Sequence, residues 1–393
     1  MQKEVPDELY QRREIRQVGN VCEEWMQKEG IPIYTALAGV EDVKELPRGP
    51  WARMGGLGTF IDLEAIRSSG ALLYVVEIPA GGSLEPEKHM YNELIYILRG
   101  RGLSEVWHKE NKRTFEWGEG SLFAMPPNAR HRLVNGGREP VLFLAKTNAP
   151  IVMNTFRDMD FVFNCDYEFT TSFTGQADYF LATENRYREG AVPIWETNFV
   201  PDVRTALLGS MPEKVGPGGV LTFFKMATWE SMHSAEWPVG RYQKAHYGDM
   251  AGAVLLGLKS NGFALLWEKK YGPHPYQDGH GDKVVKVPWK PGGIYLNGAG
   301  PGSWFHNHYN TGPEPARHVA LKGQARQRWV EKDRPTFMSF ASLREGDYPG
   351  LVLEYEDEDP EIRRMFEEEC RQNGVEITME PVVYRTDPFP YTF

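Results

Sequence analysis

The chain has 393 residues, 41% of them hydrophobic, which is enough for two domains of ordinary size and too apolar for a disordered protein. A formal charge of −10 argues against a nucleic-acid or anionic-membrane surface, and no uncharged apolar run reaches the roughly 18 residues of a membrane span. Cys22, Cys165 and Cys370 lie far apart with no C-x-x-C pair, and no apolar leader opens the chain, so free thiols in a reducing, cytoplasmic setting are expected.

Asp7 to about Glu29 reads as a helix, with Pro6 before it, acidic residues in its first turn and Gly30 after it. Val18, Val21, Cys22, Trp25 and Met26 supply an apolar face that would dock it on a larger unit. Residues 31–70 read as Gly/Pro-punctuated loop and short strand, completing an N-terminal arm over 1–70. Short strands follow at Ala71–Ile78, Leu94–Leu98, Leu103–Trp107, Ser121–Met125 and Val141–Ala145, separated by glycine-rich turns. Many short strands at close spacing predict an all-β sandwich or barrel over residues 71–150.

Within that stretch stand Gly81-x5-Glu87-x-His89-x3-Glu93-x6-Gly100 and Gly120-x5-Pro126-x4-His131-x3-Asn135. Residues two apart on a strand share a face, so Glu87 and His89 can point together. Glu93 lies four beyond His89, and barrel closure would bring His131 alongside from a later strand. Two imidazoles and two carboxylates suit a divalent cation, Fe(II) or Mn(II) first, with Zn or Ni as further choices.

These two half-motifs resemble the cupin superfamily, whose pattern is G-x5-H-x-H-x3/4-E-x6-G followed by G-x5-P-x-G-x2-H-x3-N. The chain departs from it twice: Glu87 stands where the first His is usual, and Asn128 where a Gly is usual. The resemblance implies a double-stranded β-helix (jelly-roll) barrel with Glu87, His89, Glu93 and His131 as metal ligands.

The pattern then recurs. Glu77-Ile-Pro79-Ala-Gly81 is echoed by Glu236-Trp-Pro238-Val-Gly240, Gly102-x4-Trp107 by Gly262-x4-Trp267, and Pro126-x4-His131-x3-Asn135 by Pro301-x4-His306-x3-Asn310. Tandem barrels follow, the second over 220–325, in a bicupin arrangement with a few peripheral helices. Between them, residues 151–219 are aromatic-rich and are expected to wrap one barrel onto the other. A C-terminal region, 326–393, holds an acidic amphipathic helix at Pro360–Asn373 capped by Gly374, and an extended tail.

In the second barrel His246 takes the place of Glu87, but Gly248 stands where a His is expected and Gly252-Ala253 where a Glu is expected. His246, His306 and His308 are a candidate second site, with Asp249 as a further oxygen ligand; the other reading is a scaffold barrel that has lost its metal. His108 is expected at an exposed hairpin, His274 and His280 in a surface loop, and His318 in the core. Gly216-Pro-Gly-Gly219 is not a phosphate loop, since no Gly-Lys-Ser/Thr follows, and there is no G-x-S-x-G elbow.

An open coordination position separates a catalytic metal from a structural one. Glu87, if not a ligand, is a candidate general base. Tyr91 and Asn92 lie in the ligand loop as candidate hydrogen-bonding groups, with Tyr91 a candidate catalytic residue; Arg130 alternates outward. The first expectation is a metal-dependent dioxygenase acting on a small organic acid or aromatic compound, similar in architecture to gentisate-type and quercetin-type dioxygenases. The second is a non-redox isomerase, lyase or decarboxylase like the oxalate decarboxylase branch. The third is a non-catalytic binding or storage bicupin. The resemblance and the extended tail imply a homo-oligomer.

Overall fold

In the computed structural model, residues 19–227, 229–248, 253–298, 304–322, 342–344 and 351–389 are described. The chain begins with helix α1 (Val21–Glu29), followed by β1 (Ile33–Ala36), β2 (Gly39–Val40), β3 (Gly49–Trp51), β4 (Gly56–Leu63), β5 (Leu72–Ile78), β6 (Glu93–Arg99), β7 (Arg101–His108), β8 (Asn111–Gly118), β9 (Leu122–Met125), β10 (Arg130–Val134) and β11 (Val141–Thr147). The middle segment holds α2 (Ala149–Phe156), α3 (Met159–Asn164), β12 (Arg186–Glu189), β13 (Val192–Glu196), β14 (Phe199–Val200), β15 (Gly209–Ser210) and α4 (Pro212–Val215). The second set of strands is β16 (Val220–Met226), β17 (Trp229–Trp237), β18 (His246–Gly248), β19 (Val254–Lys259), β20 (Gly262–Glu268), β21 (Val285–Trp289), β22 (Ile294–Leu296), β23 (Trp304–Asn310) and β24 (Ala316–Leu321), and α5 (Pro360–Asn373) closes the order.

The fold is all-β: two tandem jelly-roll barrels, each a large sheet facing a small one. In the first, β1-β4-β5-β11-β6-β9-β14 faces β10-β7-β8. In the second, β12-β13-β16-β17-β24-β19-β22-β2 faces β18-β23-β20-β21. Each large sheet takes a strand from outside its own run: β2 pairs with β22, and β14 pairs with β9.

Strand alternation explains how the barrels pack. On β5, Leu72, Tyr74, Val76 and Ile78 point into the first barrel, while Leu73 and Val75 point out to a second apolar layer. β11 alternates likewise, with Phe143 and Ala145 inside and Leu142 and Leu144 outside. That outer layer also contains Phe224, Met226, Val254, Leu256, Val319 and Leu321 of the second barrel. The large sheets therefore pack back to back, and their central strands are apolar on both faces.

The expected barrel strands are present to within two residues at each end. Four corrections follow. The helix starts at Val21, where Asn20 caps it by accepting from the Glu23 N–H; of the expected Asp7 start, residues 7–18 lie outside the described residues. Residues 31–70 carry β1–β4, and β4 pairs with β5, so the first sheet starts before residue 71. β8 was not anticipated, because its residues are mostly polar and half or fully exposed on the flank of the small sheet. The middle segment holds three short helices, and its Phe173, Tyr179, Phe180 and Phe199 join the first barrel's core. Helix α5 spans Pro360–Asn373 with Gly374 as its left-handed C-cap, as expected. All three cysteines are free.

Candidate metal centre

The ligand-bearing segment is not a regular strand. Between β5 and β6 the chain runs extended along β10, held by isolated bridges at Ser83–Val134 and Glu87–His131. The Glu87 N–H donates to the His131 carbonyl at 2.9 Å, and the His131 N–H to the Glu87 carbonyl at 2.8 Å. This pins Glu87 beside His131, residues far apart in the chain. Glu93 opens β6, beside Thr147 of β11 and Met125 of β9. Asn128, where a Gly is usual, adopts φ 54°, a left-handed conformation that Asn tolerates. Its Nδ2 donates to the carbonyls of Cys165 at 2.9 Å and Tyr167 at 2.6 Å, tying the turn before His131 to the middle segment.

His89, Glu93 and His131 are 2%, 1% and 1% exposed. His131 Nε2 lies 3.3 Å and His89 Nε2 3.6 Å from Glu93 Oε2. Glu87 Oε1 lies 4.0 Å from His131 Nε2, and ligating atoms of Glu87, His89 and His131 all fall within 4.8 Å of one another. The Nδ1 atoms are occupied by backbone carbonyls: Tyr91 O at 2.8 Å for His89 and Ala129 O at 2.9 Å for His131. A carbonyl can only accept, so the ring proton sits on Nδ1 and the Nε2 lone pair faces the other ligands. Burial works against the charge on Glu93, but His131 and His89 more than offset it and hold its carboxyl well below the ordinary range. For His131 burial likewise opposes the charge, and the Glu93 and Glu87 carboxylates raise its pKa above the ordinary value.

His89 Nε2, His131 Nε2 and Glu93 Oε2 are all buried without a hydrogen-bond partner. Orphaned polar atoms cost about 1–3 kcal/mol each, more for a charged group. Two inward lone pairs and a carboxylate oxygen at this spacing are a donor set for a divalent cation.

Two further residues complete the site, and the spacing of the motif held no sign of either. Tyr74, on β5, donates its O–H to Glu93 Oε1. Arg53, in the turn between β3 and β4, donates to Glu87 Oε2, and its Nε lies 3.6 Å from Glu29 Oε2. The guanidinium sits against the rings of Phe163, Trp51 and Trp25, 4.9, 5.3 and 5.6 Å from their centroids. Only the backbone path of β4 and β5 brings these side chains to the ligands.

A cleft of about 880 Å³ opens over this end of the barrel, with Trp25, Arg53, Glu87, Trp107, Arg130 and Phe163 among its walls. Glu87 lines it, whereas His89, Glu93 and His131 lie behind it. Tyr91 does not line it either: the residue is fully buried and its ring stacks on His89 with centroids 3.8 Å apart. Asn92 anchors the loop, its N–H bonded to Asn148 Oδ1 at 2.7 Å. Arg130 is exposed, over the Trp107 ring at 5.0 Å, in keeping with its outward alternation. His108 is buried rather than exposed, with Nδ1 3.2 Å from Glu168 Oε2, because the middle segment covers the hairpin that carries it.

In the second barrel His246, His306 and His308 adjoin, with ring centroids 4.2, 5.5 and 6.4 Å apart. Among the described residues, the one group whose ligand atoms lie within 4.8 Å of one another is that in the first barrel. Asp249 lies outside the described residues. His318 is a core residue, as expected, with Nδ1 2.8 Å from the Tyr295 hydroxyl. No helix among the described residues is long and apolar enough to cross a membrane.

Residues 74–145 match the Cupin domain family. No curated protein sequence matches the chain. Among solved structures, a mutant of Bacillus subtilis oxalate decarboxylase aligns at 10% identity over 74% of this chain and 78% of that chain, with a TM-score of 0.46. The formate complex of Lactobacillus farciminis oxalate decarboxylase aligns at 11% identity over 74% and 87%, with a TM-score of 0.47. Likeness at this level leaves the chemistry to be argued from the site itself.

Proposed function

We propose, from a chain whose residues 74–145 match the cupin domain, that the first barrel is the catalytic unit of a metal-dependent enzyme acting on a small organic acid. His89, Glu93 and His131 would hold the ion. The observation that carries this reading is the trio of buried, partnerless ligand atoms, His89 Nε2, His131 Nε2 and Glu93 Oε2. Glu87 is engaged by Arg53, which leaves a two-histidine, one-carboxylate set, the pattern suited to Fe(II) and O2-dependent chemistry. When bound, the ion supplies Lewis acidity toward a substrate oxygen and, as iron, redox chemistry with O2.

The protein's own groups supply the rest. The Arg53–Glu87 pair stands between the cleft and the buried ligands, so a substrate reaching them meets this pair first. Arg53 is the cation placed to receive the substrate's acid group in exchange for Glu87. Released, the Glu87 carboxylate is free to accept a substrate proton. Trp25, Trp107 and Phe163 give the organic body of the substrate apolar walls and keep water from the inner end.

The position of Glu87 at the cleft edge also supports a second reading, a non-redox isomerase, lyase or decarboxylase in which that carboxylate is the base. Metal quantification on protein purified without added metal, followed by turnover of small organic acids with and without O2, decides between them. One ion per chain and O2 consumed with substrate supports the first reading. Turnover unchanged without O2 supports the second. Metal far below one ion per chain that cannot be loaded refutes both and favours a binding protein.

A further inference from the structure

The two histidines of the candidate centre are supported differently. His131 is carried by β10, and the ladder to β7 sets where its side chain points. His89 lies outside the strands, in the extended run between β5 and β6. The Asn128 N–H donates to the His89 carbonyl and the Met90 N–H to the Val162 carbonyl, each at 2.9 Å. These bonds fix the backbone of the run and leave the imidazole to be fixed by something else. The outer torsion of a histidine side chain is broad and roughly two-fold. The bond from His89 Nδ1 to the Tyr91 carbonyl, 2.8 Å, selects one of the two flips and turns Nε2 toward Glu93. Hydrogen bonds approach a carbonyl oxygen over a wide range of directions, so this bond alone sets the ring plane only loosely.

The side chain of the same residue sets it. The Tyr91 ring lies parallel to the His89 imidazole, with centroids 3.8 Å apart and planes within 5°, so its face blocks any tilt toward it. The His131 ring stands edge-on to the same imidazole, 5.2 Å away at 86°. Tyr91 is itself immobilised. It is fully buried, Phe163 meets its ring edge-on at 6.0 Å, and the Asn92 N–H ties the next residue to Asn148 Oδ1. Its hydroxyl is buried with no hydrogen-bond partner among the described residues, so the flat ring, not the oxygen, is what this position contributes. A ligand shell performs only when held to about 0.5 Å and 10–20°. The carbonyl and the ring of Tyr91 together impose that limit on His89.

We propose that Tyr91 is a positioning residue of the metal centre: its ring, stacked on His89, holds the imidazole plane in which Nε2 meets the ion. The role rests on the reading of the first barrel as a metal site. It replaces the catalytic role expected for Tyr91 from its place in the ligand loop, because the residue does not reach the cleft.

The test measures Mn(II) affinity of the full chain by competition against a chelator, and the visible absorption spectrum of the Co(II)-loaded protein, which reports ligand geometry. Tyr91→Phe keeps the flat ring and should stay within twofold of wild type with the same spectrum. Tyr91→Leu removes the flat face and should bind Mn(II) about 10- to 100-fold more weakly, the usual cost of losing a group that orients a ligand, with an altered Co(II) spectrum. Should Tyr91→Leu fail to fold, Tyr91→Met is measured for the same loss. Phe60→Leu, a vacancy elsewhere in the same core, should change neither reading. Wild-type affinity and spectrum in the Leu or Met variant overturn the proposal alone. So does an equal loss in Tyr91→Phe, which would give the role to the hydroxyl, or in Phe60→Leu, which would make it general softening of the core. A wild-type protein that takes up no metal overturns the metal-centre reading and this proposal with it.

Discussion

Tyr74→Phe removes one oxygen from the molecule and tests the metal centre without touching a ligand. The Tyr74 ring is fully buried, edge-on to Trp51 at 5.3 Å and to Phe60 at 6.3 Å, so Phe keeps the packing. What is lost is the O–H donated to Glu93 Oε1. A hydrogen bond to a charged group contributes about 1.5–3 kcal/mol. Removing a group that orients a metal ligand typically weakens metal binding about 10- to 100-fold, or about 1.4–2.7 kcal/mol, so two independent routes agree. The assay is competition for Mn(II) or Fe(II) against a chelator of known affinity, with the melting temperature of the metal-free protein measured alongside. Phe60→Leu is the control: it perturbs the same core and should lower the melting temperature while leaving metal affinity within twofold. Unchanged metal affinity in Tyr74→Phe would mean that Glu93 does not hold the ion, and the argument for the centre would fail.

His89→Ala and His131→Ala should each abolish metal occupancy while the circular dichroism spectrum stays that of the folded protein; full occupancy in both would place the metal elsewhere. Arg53→Met should leave metal occupancy intact but reduce kcat/KM on an acid substrate about 10- to 100-fold, the worth of a charged hydrogen bond, as steady-state kinetics would show. Glu358, 1% exposed, has its carboxyl pushed up by burial from 4.5 to about 8, although the Tyr242 O–H donates to it at 2.8 Å. A raised folded-state pKa stabilises the fold fully below the unfolded value, and that stabilisation is lost as pH rises from about 4.5 through about 8, on the order of 5 kcal/mol in all. Denaturation of wild type across this window should therefore show a fall in stability that Glu358→Gln flattens.

The Arg53–Glu87 pair accounts for the departure from the usual first histidine. A carboxylate at this position can be held by a cation from the β3–β4 turn, which a neutral imidazole could not, and the pair then occupies the passage between cleft and ligands. The two barrels also differ inside. At equivalent interior registers the first barrel carries Tyr74, Leu133 and Phe143, and the second carries His233, His308 and His318.

Local spacing determined a good deal. Strand alternation and glycine punctuation made the barrel strands legible, and the recurrence of the Asn135 motif at Asn310 exposed the tandem repeat. Both asparagines do the same work: Asn135 Nδ2 donates to the carbonyls of Pro79 and Glu139, and Asn310 Nδ2 to those of Pro238 and Glu314. The candidate ligands were legible because they lie within a few residues of one another or in a recognisable half-motif. Tertiary structure alone decided that β4 and β5 deliver Arg53 and Tyr74 to the site, that Tyr91 lies behind His89 instead of at the cleft, and that the middle segment buries His108. It also placed His233 and His318, from two distant strands, beside His308. In each case the partners are far apart along the chain, and only closing the sheet fixes which interior positions meet; no local periodicity carries that information.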